Sequence, residues 1–106
     1  NFYADIAPIV LHHHERYEGN GYPNELMGEA IPVESRIIAI AEAFDAMTSR
    51  DSYKYVGQML DKAEHSPSAG FHHAIEELKR NAGTQFDPKM VDIFTNNIDE
   101  SMLAEV

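Results

Sequence analysis

Cysteine is absent from this 106-residue chain, so neither a disulfide framework nor a thiolate metal site can form. Positive charge is scarce: eight lysines and arginines face eighteen acids, a formal net charge of −10. Such a surface repels a phosphate backbone, which argues against nonspecific DNA or RNA binding. A small anionic substrate stays compatible with it only where bound cations reverse the sign locally. No apolar run approaches the roughly 20 residues a membrane span needs, and no signal-peptide pattern opens the chain. No membrane insertion is therefore expected, and these absences fit a cytoplasmic protein. The first residue is Asn1 rather than methionine, so the chain reads as a piece or processed part of something longer.

What is present is helical. The hydrophobic fraction of 43% suits one folded domain and argues against disorder. Asp5 is placed to cap a first helix whose apolar stripe runs Ile6, Ile9, Val10, His13 and Tyr17, with Pro8 in its first turn and an end before Gly19. Residues 18–31 read as a loop broken by Gly19, Gly21, Pro23 and Gly28. Pro32 opens a second helix in its first turn, and residues 35–47 are apolar on most sides, as a central helix would be. A polar connection over 48–55 and a short amphipathic segment over 56–64 follow. Ser66-Pro67 starts a helix carrying Phe71, Ala74, Ile75 and Leu78, which Lys79-Arg80 and Gly83 close. Asp87-Pro88 starts the last helix, with Met90, Val91, Ile93 and Phe94, before an acidic tail from about Asn96 that is expected to fray. Strand patterning and internal repeats are missing. The expected class is all-α, a helical bundle.

The chemistry gathers at His12-His13-His14-Glu15 and the glycine-punctuated loop after it. Successive helical residues point about 100° apart, so three adjacent histidines cannot share one direction. His13 on the apolar stripe and His14 beside it can face one inward site, while His12 turns outward with Asp5 and Arg16. Glu42 and Asp45 interrupt the apolar second helix one turn apart, and carboxylates there are costly unless paired or metal-bound.

Taken in order, His13-His14-Glu15, Gly21-Tyr22-Pro23, Ile31-Pro32, Arg36-Ile37-Ile38-Ala39, Phe44-Asp45-Ala46-Met47-Thr48-Ser49 and Gly83-Thr84-Gln85-Phe86-Asp87-Pro88 resemble the C-terminal half of an HD-GYP domain. That family is a branch of the HD metal-dependent phosphohydrolases. The resemblance runs over about residues 6–95 and is weakest between Lys54 and about Gly70. It implies that residues 1–106 are a single partial domain of a helical bundle holding two or three divalent transition-metal ions, iron or manganese. These would activate a water for attack on a phosphodiester, in cyclic di-GMP or a related nucleotide. Carried over by position, His13 and His14 match the paired histidine ligands, and Glu42 stands at a ligating carboxylate position. Glu15 matches a position that orients an imidazole by hydrogen bonding, and Asp45 is the second candidate for a supporting catalytic role. Tyr22 would line the nucleotide site, with Gly21 and Pro23 shaping its loop, and Lys54 would meet phosphate.

Several departures qualify that picture. The His-Asp dipeptide that names the family is absent, and Glu42 and Glu18 replace the usual aspartates. Arg50-Asp51-Ser52-Tyr53-Lys54 stands where the family favours Asp-Arg-Pro-Tyr-Arg, so Asp51 puts a negative charge where an arginine is expected. These 106 residues alone are therefore expected not to hydrolyse phosphodiesters. Plainer readings stay open beside the catalytic one: core or solvated histidines, a structural ion pair at Glu42, a carboxylate at Asp45 that holds the loop, and Tyr22 as a loop anchor. Two further readings are a non-catalytic module that binds nucleotide or docks a diguanylate cyclase domain, and an HD phosphohydrolase with another substrate. The uncovered apolar face of half a bundle also points to a homodimer or to residues outside this chain.

Overall fold

A computed structural model describes residues 2–49 and 67–105. Among the described residues there are four α-helices and no strand: α1 (Phe2–Leu11), α2 (Val33–Thr48), α3 (Pro67–Arg80) and α4 (Pro88–Asn97). Two 3-10 turns, Gly28–Ala30 and Glu100–Glu105, complete the order. The all-α expectation holds. Lys54, Asp51 and the amphipathic segment expected over 56–64 lie outside the described residues, as does the Ser66 cap.

The centre of the fold is one apolar seam between α2, α3 and α4. Ile40 and Phe44 from α2 meet Phe71, Ala74 and Leu78 from α3, with Phe86 and Val91 closing the far side. These positions recur at helical spacing, so each helix turns one stripe inward. The Phe44 ring makes edge-to-face contacts with Phe71 and Phe94, with centroids 5.9 and 5.1 Å away. Edge-to-face pairs of this kind add about 0.5–1.5 kcal/mol each beyond area burial. Ile38, which points away from Ile40 and Phe44, is 38% exposed, and Ala41 and Asp45 on that side are exposed as well. The helix that reads as apolar on most sides is thus covered on one side only among the described residues.

Two polar contacts fix the seam's ends. Asp87 caps α4, its carboxylate accepting from the Lys89 and Met90 N–H groups at 2.8 and 3.3 Å, with Pro88 at the first helical position. The same carboxylate takes a 2.7 Å hydrogen bond from Arg36 Nη1, whose Nε donates to the Ile31 carbonyl at 2.9 Å. Buried Ser35 donates to the Ile9 carbonyl at 2.7 Å and ties α1 to α2.

The first helix departs from its expected form. It starts at Phe2, so Pro8 lies in its interior and Asp5 in its first turn rather than at a cap. It ends at Leu11 instead of running to Tyr17. Pro32 is the cap residue before α2 rather than its first turn. The early end has a visible cause: the Tyr17 and Glu18 N–H groups are used by the Gln85 and Thr84 carbonyls, at 3.0 and 2.8 Å, and so cannot serve a continuing helix.

Candidate metal and nucleotide site

Where α1 stops, His12, His13 and His14 form a turn, with the His13 N–H bonded to the Val10 carbonyl at 3.4 Å. A turn releases the three rings from helical spacing. His13 uses Nδ1 to donate to the Val10 carbonyl, which leaves Nε2 with its lone pair outward. That atom stands 3.6 Å from Glu42 Oε2 on α2. The His14 ring lies against His13, centroids 3.9 Å apart. Ligand atoms of His13, His14 and Glu42 all fall within 4.8 Å of one another. Two ligands bound at about 2.1 Å to one ion at a tetrahedral angle stand about 3.4 Å apart. The 3.6 Å spacing therefore fits a shared ion, and a nitrogen–oxygen set without thiolate suits iron, manganese or zinc.

His12 behaves opposite to expectation. Its ring is turned inward, 15% exposed, and donates to Glu15 Oε2 at 3.1 Å. Glu15 is buried, and its carboxylate also accepts from the Asn24 N–H and the Leu26 N–H, each at 2.9 Å. Burial alone would raise its pKa. The Asn24 N–H, the His12 ring, the Leu26 N–H and the His12 charge together outweigh burial and hold it below the ordinary glutamate value. The imidazole that Glu15 orients is thus His12, not His13 or His14, and its larger work is to pin the loop. Gly21 lets that loop close: an added Cβ would lie 2.8 Å from the backbone of Glu15, too near for any side chain. Pro23 follows through a cis peptide bond. Tyr22 is carried outward, 62% exposed, and stacks on His14 at 5.1 Å between centroids and 18° between planes.

A cleft of about 230 Å³ lies beside these groups, lined by His13, His14, Glu15, Arg16, Glu42 and Gln85, with small alanines of α2 as its floor. Arg16 and Gln85 escaped the sequence reading. Arg16 follows directly on the His-His-Glu run, a signal that was available. Gln85 reaches the cleft only through its distant pairing with Tyr17, which no local pattern announces. Asp45 is exposed one turn past Glu42 and is not among the residues lining the cleft.

An all-α frame that gathers two imidazoles and a carboxylate at one cleft defines a helical domain with a nitrogen–oxygen metal-ligand set. Residues 1–90 match the family described as HD domain, and the chain belongs to that family. It is 44% identical over 86 residues to the "Cyclic di-GMP phosphodiesterase response regulator RpfG" of Xanthomonas campestris pv. campestris, covering 81% of this chain and 20% of that protein. It is 38% identical over 92 residues to the "3'3'-cGAMP-specific phosphodiesterase 2" of Vibrio cholerae, covering 87% of this chain and 15% of that one. Among solved structures, a cyclic GMP-AMP specific phosphodiesterase of V. cholerae (V-cGAP3) superposes with a TM-score of 0.60 at 29% identity, over 94% of this chain and 18% of the other. The chain spans a fifth or less of the length of these relatives. The HD-GYP resemblance thus rests on a family match and on relatives named as cyclic-dinucleotide phosphodiesterases. HD-domain phosphohydrolases are metal-dependent, and the His13–His14–Glu42 group has the chemistry to take part. No helix among the described residues is long and apolar enough to cross a membrane.

Proposed function

We propose that the intact protein is a cytoplasmic, metal-dependent phosphodiesterase acting on cyclic di-GMP or a related cyclic dinucleotide. The observation that carries this is the convergence of His13, His14 and Glu42 ligand atoms within 4.8 Å at the mouth of a cleft. In this reading the three hold part of a centre of two or three iron or manganese ions, and residues outside this chain supply the other ligands. Bound ions of that kind lower the pKa of water and neutralise a phosphoryl group under attack. The Val10 carbonyl keeps the His13 lone pair on Nε2, and Glu42 supplies anionic charge from a rigid helix. Glu15, through the loop it pins, sets where Gly21, Tyr22 and Pro23 stand. Tyr22 offers an open aromatic face to a nucleobase, Lys54 meets phosphate, and Asp45 supports the α2 side of the site.

The experiment is metal analysis of the anaerobically purified intact protein together with chromatography of cyclic di-GMP and 3'3'-cGAMP digests. Hydrolysis that tracks iron or manganese content supports the reading. A metal-replete protein that leaves both nucleotides intact sinks it, and cleavage by the 106-residue chain alone would refute the part that draws the other ligands from outside this chain. The 62% exposure of Tyr22 favours a second reading, a non-catalytic module whose loop docks a signalling partner such as a diguanylate cyclase domain. Protein that purifies without metal yet binds nucleotide or partner selects that reading. The exposed Val33, Ile37 and Ile93 support a homodimer contact in either case.

A further inference from the structure

The cleft beside the metal-ligand group contains a cation to which the reading above gives no role. Arg16 is the sole arginine or lysine among the described residues that line it, and glutamates 15 and 42 stand around it. A phosphodiester entering that space meets carboxylates and needs positive charge at a fixed position. Arg16 is held for such a task. Its Nε and Nη2 both donate to Glu18 Oε2, at 2.8 and 2.6 Å. Among the described residues no other side chain binds this guanidinium, so its Nη1 side remains open. An arginine offers its donors in a planar fork, and occupying one edge orients the other. The pair is about one-third exposed, 36% for Arg16 and 32% for Glu18, so a ligand can reach it. An exposed ion pair contributes little to folding, which leaves the arrangement without a strong structural purpose.

The backbone around Arg16 is fixed as well. Its carbonyl accepts from the Gly19 N–H at 2.9 Å, and the next two residues pair with Gln85 and Thr84. That pairing brings Gln85, whose side chain is an amide with donors of its own, into the same cleft lining. We propose that Arg16, steered by Glu18 and flanked by Gln85, forms a phosphate-recognition subsite beside His13, His14 and Glu42. It takes a phosphodiester group of the nucleotide through the open edge of the guanidinium. This inference rests on the phosphodiesterase reading for the identity of its ligand and on the Arg16 geometry for its place.

The test compares the intact wild-type protein with Arg16→Gln and Arg16→Lys. Metal content, the KM and kcat for cyclic di-GMP, and calorimetric binding of cyclic di-GMP to metal-stripped protein are measured for each. Loss of a charge-assisted contact predicts a KM raised about 10- to 100-fold in Arg16→Gln, with metal content unchanged and partial recovery in Arg16→Lys. A KM within about twofold of wild type overturns the proposal, and so does a loss that merely follows loss of metal. Should Arg16→Gln fail to fold, phenylglyoxal modification of wild type, located by mass spectrometry, decides: cyclic di-GMP protects Arg16 if the subsite exists and leaves it reactive if not. Wild type that binds cyclic di-GMP in an Arg16-dependent way without metal or turnover retains the subsite and removes the phosphodiesterase reading. Wild type that does not bind it removes both.

Discussion

Replacing Gly21 by alanine adds a single methyl where the chain has no room. The new Cβ would sit 2.8 Å from the Cα and carbonyl carbon of Glu15, which are backbone atoms and cannot rotate away. The loop must lift, and lifting it pulls the Asn24 and Leu26 N–H groups off the buried Glu15 carboxylate. Hydrogen bonds to a charged group contribute about 1.5–3 kcal/mol each, so the two together amount to about 3–6 kcal/mol. Alanine also restricts the unfolded chain, which returns about 0.4–1 kcal/mol. The net cost is about 2–5 kcal/mol, equivalent to at least a roughly 30-fold rise in local opening. Amide hydrogen exchange on the intact protein reads this directly at Asn24 and Leu26. Amides of Leu78 and Val91, in the seam between α2, α3 and α4, serve as the internal reference. Metal content should stay at the wild-type level, because the His13 ring is tied to the Val10 carbonyl of α1 and Glu42 stands on α2, so neither depends on the loop. Protection at Asn24 and Leu26 within about threefold of wild type would refute the argument that Glu15 and Gly21 close the loop together.

Asp87→Asn keeps the helix cap but leaves the half-buried Arg36 guanidinium without its counter-charge. Breaking a buried pair costs about 3–5 kcal/mol, to be checked by urea denaturation followed by circular dichroism. Burial raises the Asp87 pKa, but the Arg36 hydrogen bond, the Met90 and Lys89 N–H groups and the Arg36 charge together hold it below the ordinary aspartate value. Because the folded value is the lower one, this stabilisation is present above the unfolded pKa and is lost as pH falls through the folded one. Acid titration of wild type should therefore lose stability in that range, and Asp87→Asn should lose less. Glu42→Gln removes the anionic ligand and is expected to lower retained iron or manganese by at least about tenfold, measured by plasma mass spectrometry after dialysis. Ser35→Ala deletes the hydrogen bond to the Ile9 carbonyl and should cost about 1 kcal/mol, with raised exchange in α1 but not in α3 or α4.

Much of this architecture was readable from local pattern. The Asp87-Pro88 start, the Lys79-Arg80 end and the stripes of α3 and α4 each follow from neighbours within a few residues, and the structure has them there. Those signals are short-range, as capping and periodicity are. The grouping of His13 and His14 with Glu42, whose ligand atoms fall within 4.8 Å of one another, was implied by the family resemblance of those positions and not by any local pattern. The end of α1 was not legible. Ile6, Ile9, Val10, His13 and Tyr17 keep helical spacing past Leu11, where the helix ends, yet the N–H groups of Tyr17 and Glu18 serve the carbonyls of Gln85 and Thr84. Periodicity cannot show a hydrogen-bond partner that far along the chain. The orientation of His12 failed for the same reason, since a wheel drawn through a turn assigns directions that the turn does not have.

The pairing of Tyr17 and Glu18 with Gln85 and Thr84 also bears on how the protein tolerates change in length. Surface turns ordinarily absorb insertions and deletions at little cost. The turn between α3 and α4 is different, because Asn81 and Gly83 wind it tightly while its outward carbonyls support the segment after His14. One residue added between Gly83 and Phe86 would shift the register of that support and swing Gln85 out of the cleft. Variation in length at this turn should therefore be tolerated as poorly as in a helix, although nothing in the turn itself touches a metal ligand.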